Sequence, residues 1–304
     1  MVKKYQIANN KIVESTDGIA QILLYIAPDT AEKKYLIEEL KIDEHNLISA
    51  LDPDELSRVE FESDHLALIY KRPKSYNPAD NFLFKVSSIG LFLFKKYLII
   101  VIANEISLFD SKHFMQVTSL EDILLKLINR SIFHFLEHLK IINMIADAIE
   151  QKISSAMENK NLLNLFMLEK GLVYYLNAIS SNSMLIEKIK YNALKIGLVQ
   201  ENLELLEDLI IENNQCYKQA EIYSNVLASL MDARASIVSN NLNVLLKTLN
   251  IITIGIMVPT LVVSAFSMNV GIPLQNHPFA FWIIMGFALF SVMGLMMLWK
   301  YKKW

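Results

Sequence analysis

Three groups of residues in this 304-residue chain have the types and spacing to do chemistry. In "ENLELLEDLIIE", Glu201, Glu204, Asp208 and Glu212 recur at three- and four-residue steps, which lines their carboxylates along one side of a helix. Carboxylate oxygens ligate hard cations such as Mg²⁺. The same row also reads as an ordinary solvated helix face. In "HFLEH", His134, Glu137 and His138 formally fit the H-x-x-E-H pattern of certain zinc peptidases, where two histidines a turn apart hold zinc and the glutamate activates water. No compelling third ligand accompanies them, and the expected place of these side chains is a helix surface. The third group, Ser267-Met268-Asn269, is a short polar break between two long apolar runs, with two prolines close behind it.

Those apolar runs set the class of protein. Hydrophobic residues make up 53% of the chain, and neither 249–266 nor 279–299 contains a charge. Each run is close to the roughly 20 apolar residues that carry a helix across a hydrocarbon core. The connector 267–278 has no Lys or Arg, whereas Lys247 precedes the first run and Lys300, Lys302 and Lys303 follow the second. By the positive-inside rule both termini are then cytoplasmic and the connector external. Trp282, Trp299, Tyr301 and Trp304 are placed to anchor the second span at the interfaces. No apolar segment near the start reads as a signal peptide.

The preceding residues must hold these groups in place. Up to about residue 115 the pattern is strand-like, in "YQIANNKIV", "GIAQILLYIA", "VEFESDHLALIYKRP", "NFLFKVSSIGLFLF" and "YLIIVIANE". One helix, "DTAEKKYLIEELKI", is expected among them with Asp29 or Thr30 as its N-cap. From Ser119 the period is helical, opening on Ser119-x-x-Asp122, which resembles a capping box. A break is expected near Ser180-Ser181-Asn182. A third helix runs from about Glu201 into the first span, some 65 residues or roughly 100 Å at about 1.5 Å per residue. The expected fold is thus an α+β cytoplasmic domain (1–118), a cytoplasmic helical region with a long stalk (119–248), and a transmembrane domain (249–304).

Two seven-residue series run along the stalk. Leu203, Ile210, Tyr217, Met231, Val238 and Leu245 form an apolar line, interrupted only by Ser224, suited to packing against neighbouring helices. Ser229, Ser236, Asn243, Asn250, Met257 and Ser264 form a mostly polar line that continues into the span. Polar side chains at that depth face a bundle interior or water. Two spans are too few to enclose water, so a polar line that lines a pore implies several copies around an axis. A membrane-anchored scaffold without transport would account for the stalk and spans, but not for Asn269, Asn243 and Asn250.

"MDARASIVSNNLNVLLKTLNIITIGIMVPTLVVSAFSMNVGIPLQNHPFAFW" resembles the signature region of the CorA family of two-span divalent-cation channels, whose first span ends in Gly-Met-Asn. The likeness extends more loosely through "ALDPDELSRVEFESDHLALIYKRP" and "EKGLVYYLNAISSNSMLIEK". It implies a homopentameric funnel in a cell membrane, such as a bacterial plasma membrane, passing Mg²⁺ or Co²⁺. Met268 and Asn269 match the mouth motif, where an amide ring meets a hydrated ion. Ser267 departs from it, because glycine there permits φ > 0 and serine resists it. The resemblance aligns Asn243 with a polar pore residue, Leu246 and Leu249 with a hydrophobic constriction, and Met257 or Val258 with another narrow position. It also gives Asp208, with Glu204 and Glu212, the role of an intracellular Mg²⁺ sensor between protomers. "MNVGIP" resembles the branch that includes ZntB-type zinc transporters, which keeps Zn²⁺ as an alternative. A single cysteine, Cys216, excludes an internal disulfide and a multi-cysteine zinc site. The net charge of −3 gives no reason to expect nucleic acid. Without an ATP-binding motif, neither hydrolysis nor an organic cofactor is expected, and no enzyme chemistry.

Overall fold

The structure, a computed structural model, describes residues 1–15, 20–76, 82–110, 112–155, 159–271, 273 and 276–302. It divides into two compact units, Met1–Met231 and Asp232–Trp304.

The first unit is built on a seven-stranded sheet. Its strands are β1 (Val2–Ala8), β2 (Lys11–Glu14), β3 (Ile22–Ile26), β4 (Arg58–Phe61), β5 (His65–Pro73), β6 (Val86–Phe94) and β7 (Leu98–Ile102), in the order β2-β1-β3-β7-β6-β5-β4. All pairs are antiparallel except β3 with β7. Asn9 and Asn10, at φ 50° and 58°, turn β1 into β2; asparagine tolerates this left-handed region better than most residues. The central strands are apolar on both faces, so their sequences run on with little alternation. Leu66, Leu68, Leu91, Leu98 and Ile100 face one core, and Ala67, Phe92, Ile99 and Val101 face the other.

Helices α1 (Thr30–Glu38) and α2 (Glu44–Leu51) cover the second face. Asp29 caps α1 in a full capping box with Glu32. At Gly90 a Cβ would meet the Cβ of Ala50 at 2.4 Å, so a glycine there lets α2 lie close on β6.

The first face carries α3 (Leu120–Ser155), α4 (Asn159–Tyr191) and the start of α6 (Gln200–Phe266), with a short 3-10 turn at Lys112–Phe114 before α3 and the short α5 (Ala193–Ile196) before α6. The change from strand to helix near 118 is thus not a break in the core, which runs across it. Ser119 caps α3, its hydroxyl accepting from the Asp122 N–H at 3.1 Å. The reciprocal bond goes one residue earlier than in a capping box, from the Thr118 N–H to the Asp122 carboxylate at 3.0 Å.

The expected break near Ser180-Ser181-Asn182 does not occur, since α4 runs through it. These polar residues serve the sheet instead. Asn182 is fully buried. Its Oδ1 accepts from the Lys71 N–H at 2.9 Å and from the Ser57 hydroxyl at 2.7 Å, and its Nδ2 donates to the Lys71 carbonyl at 2.8 Å. Ser181 Oγ accepts from the Ser57 N–H at 2.5 Å. Strand β4 begins at Arg58, opposite Ile69. The Asn182 amide therefore completes the ladder of β5 where β4 is absent.

The histidines of "HFLEH" are not surface residues either. His138 is buried, with Nδ1 2.5 Å from the Tyr175 hydroxyl. His134 is half-buried against it, ring centroids 4.3 Å apart. Burial, then the neighbouring His138, Arg72 and Arg130, push the His134 pKa down to about 4, and burial alone takes His138 to about 4.

In the second unit α6 continues to Phe266 and α7 spans Ala280–Lys302.

Candidate functional site

Helix α6 changes character along its length. Up to Leu227 it buries one seam, Asn202, Leu206, Leu209, Asn213, Cys216, Ala220 and Leu227. Leu203, Ile210, Tyr217 and Met231 flank this seam partly buried, and Val238 and Leu245 beyond it are exposed. Asn213 fits an apolar seam because its Nδ2 donates to the Ile179 carbonyl at 3.2 Å. In the apolar windows of α6 and α7, by contrast, 0% and 6% of the residues are buried. Two helices long and apolar enough to cross a membrane thus leave their surfaces uncovered within one chain, which calls for lipid or further copies.

Helix α7 covers only one side of α6. Ile251, Ile254 and Gly255 line a groove with Val292, Leu295, Met296 and Trp299, and Phe266 stacks on Phe287. At about 100° per residue, Asn243, Asn250, Met257 and Ser264 lie roughly a quarter-turn round the helix from that groove. Leu246 shares their face, and Leu249 points to the side opposite α7. All six are exposed. The amides of Asn243, Asn250 and Asn269 make no hydrogen bond among the described residues, so they remain open to water or to another copy. Pro259, inside α6, lacks the N–H that would bond the Gly255 carbonyl.

The tripeptide follows directly on the end of α6. Ser267, Met268 and Asn269 are exposed. Ser267 is not among the residues with positive φ, so its backbone is one that serine adopts without strain. Both its N–H and its hydroxyl donate to the Ser264 carbonyl, at 3.1 and 2.9 Å, closing the helix end. In the connector, His277 Nδ1 accepts from the Phe279 N–H at 3.2 Å, which occupies one of its two ring nitrogens. Trp282, Trp299 and Tyr301 are exposed near the two ends of α7, whereas Lys303 and Trp304 lie outside the described residues.

The acidic row is on α6. Glu201, Glu204 and Asp208 are exposed, and Glu212 is half-buried. One Glu212 carboxylate oxygen is buried with no partner among the described residues. Burial and then the Asp208 charge raise its pKa. Among the described residues no three His, Cys, Asp or Glu side chains of one chain are grouped to hold a metal. A cation at Asp208 and Glu212 therefore needs ligands from water or a second copy. The hydroxyl cap at Ser267 and the polar bonds of Asn182 had no local sign in the sequence beyond the residue types themselves.

An α/β unit whose last helix continues without interruption into an apolar span, followed by a short connector and a second apolar helix, defines a two-span membrane protein. The model of the family described as "CorA-like Mg2+ transporter protein" matches residues 21–301. The chain belongs to this family, which is one of transporters and not of enzymes. It is 24% identical over 287 residues to the cobalt/magnesium transport protein CorA of Methanocaldococcus jannaschii, covering 91% of this chain and 89% of that protein. The fold matches the complete structure of the CorA magnesium transporter from the same organism, with TM-score 0.83 and 21% identity over 98% of this chain and 96% of that one. It also matches the full-length CmaX protein, at TM-score 0.75 and 13% identity over 100% and 97% of the two chains. A third likeness, TM-score 0.59 and 14% identity, is to the cytoplasmic domain of ZntB from Vibrio parahaemolyticus, over 78% of this chain and 98% of that domain.

Proposed function

We propose that five copies of this chain surround a common axis and pass divalent cations, Mg²⁺ foremost and Co²⁺ with it, inward across a cell membrane. The observation that carries this reading is the exposed face of α6 bearing Asn243, Leu246, Asn250, Met257 and Ser264. It is polar at intervals, left open by α7, and ends at Ser267-Met268-Asn269. Brought round an axis, these faces line a water-filled path. At its mouth the Asn269 amides hydrogen-bond the shell of an ion that gives up its waters reluctantly. Leu246, Leu249 and Met257 narrow the path and close it by dewetting. With both termini cytoplasmic, an inside-negative potential favours entry by about 2.3 kcal/mol per elementary charge per 100 mV.

Asp208, with Glu204 and Glu212, senses cytoplasmic Mg²⁺ in this reading. The unpaired Glu212 oxygen beside Asp208 supports it, because a divalent cation shared with a neighbouring copy relieves both burial and repulsion. Bound ion holds the copies together and the path closed, and its loss releases them.

Uptake into proteoliposomes containing a divalent-sensitive dye tests the proposal, with Mg²⁺, Co²⁺ and Zn²⁺ compared for wild type and Asn269→Ala. Mg²⁺ uptake that Asn269→Ala cuts by about tenfold or more is expected. Zn²⁺ ahead of Mg²⁺ would favour a zinc transporter, a reading supported by a connector without carboxylates. Absence of uptake by folded, inserted wild-type protein would leave a membrane-anchored scaffold.

A further inference from the structure

We propose that the cavity between β5 and α3 binds a phosphate group, either as inorganic phosphate or as the phosphate of a small ester. The cavity has a volume of about 540 Å³, within the range of small-molecule sites. Strand alternation points Tyr70 and Arg72 of β5 into it, and one turn of α3 adds Arg130, Ser131 and His134.

Arg72 is the reason to expect an anion. It is 5% exposed, yet it forms no ion pair among the described residues. Its Nη1 donates to the Pro73 carbonyl at 3.1 Å, and its Nε is buried with no partner among the described residues. Its charged neighbour, Arg130, has the same sign. A guanidinium is costly to bury without a counter-charge, and a second cation beside it adds to that cost.

Two carboxylates, Glu105 and Glu137, also line the cavity, and neither is paired with Arg72. Glu105 is ion-paired with Lys3 at 2.7 Å, Glu137 is exposed, and Asp110 accepts from Ser107; the charges of Asp110 and Glu137 act on Arg130 and not on Arg72. His134, held neutral by burial and the neighbouring cations, contributes a ring nitrogen and no compensating charge. Arg130 Nη1 donates to the Leu108 carbonyl and the Ser131 hydroxyl to the Leu127 carbonyl at 3.3 Å, so the donors left for a tetrahedral oxyanion are the remaining guanidinium N–H groups of Arg72 and Arg130 and the Tyr70 hydroxyl. Ile89 and Leu127 give the remaining wall an apolar surface for the rest of an ester.

Isothermal titration of the full chain in detergent, without divalent cations, is the test, with inorganic phosphate and AMP as probes and acetate as control. Saturable binding of phosphate or AMP at about 1 mM or below, with none of acetate, is expected. Arg130→Gln should weaken it at least about tenfold. Arg72→Lys should weaken it too, by loss of the fork, and Ile106→Trp should obstruct the cavity while keeping both arginines. Tighter binding of AMP than of phosphate identifies an ester as the ligand, and the reverse identifies the free anion. The proposal is overturned if neither probe binds the wild type, or if binding is unchanged in folded Arg130→Gln and Ile106→Trp proteins.

Discussion

The hydroxyl of Ser267 donates to the carbonyl of Ser264, 2.9 Å away, and so closes the helix that ends at Phe266. A glycine at 267 keeps the backbone bond and loses only the hydroxyl bond, whose net worth is about 0.5–1.5 kcal/mol at an exposed site. Since φ at 267 is not positive, glycine relieves no strain. Ser267→Gly is therefore expected to change Mg²⁺ uptake by less than about tenfold, far less than Asn269→Ala. Uptake that appears only in the glycine variant would show that serine disables the mouth.

Asn182 offers a sharper stability test. Its amide satisfies both backbone groups of Lys71 and the Ser57 hydroxyl, all buried. Asn182→Ala strands these groups, and a loss of about 2–4 kcal/mol is expected. Ser180→Ala, at an exposed position two residues earlier, should stay within about 0.5 kcal/mol. Chemical denaturation of the two variants in the same detergent compares them directly, and equal effects would refute the ladder-completing role.

His138 and Tyr175 give the protein an acid sensitivity. Burial raises the Tyr175 pKa well above its ordinary value, so the phenol keeps its proton and shares a hydrogen bond with a neutral imidazole. The folded-state pKa of His138, about 4, is below the unfolded value of about 6.5. A depressed pKa contributes stability that is full above about 6.5 and is lost as pH falls through about 4. The His138→Phe/Tyr175→Phe double variant removes both polar partners, so its thermal midpoint should fall less steeply than that of wild type across this window. Parallel curves would show that the pair does not titrate in this range.

Much of this architecture was legible because it depends on local periodicity. Apolar runs without charge marked both span helices, and Asp29, offered beside Thr30 as an N-cap, is the residue that caps α1. The readings that failed involved partners far away in sequence. Ser181 and Asn182 read as a helix break because their partners, Ser57 and Lys71, lie more than 100 residues earlier. His138 read as a surface residue because the ring that meets it, Tyr175, comes from another helix. On α6, Asn202 and Asn213 disguised the buried seam, so the apolar line drawn through Leu203 and Ile210 fell on its flank. The cavity with its two arginines was hidden because Arg72 sits at the end of a strand and Arg130 within a helix, and only their packing makes them neighbours.

Glu212 links the acidic row to cation binding in a way that stability can measure. Its pKa is raised, first by burial and then by Asp208. A raised carboxyl pKa contributes stability below the unfolded value and loses it as pH rises through the folded value, so at neutral pH the ionised side chain opposes folding. A divalent cation at Asp208 and Glu212 offsets that opposition, and so does removal of the charge. Without divalent ions at about pH 7, Glu212→Gln is expected to raise the thermal midpoint. Mg²⁺ should raise the midpoint of wild type but leave that of Glu212→Gln nearly unchanged, because the amide no longer supplies a charged oxygen ligand. Equal Mg²⁺ shifts in the two proteins would place the stabilising ion away from this row and would reduce Glu204, Asp208 and Glu212 to a solvated helix face.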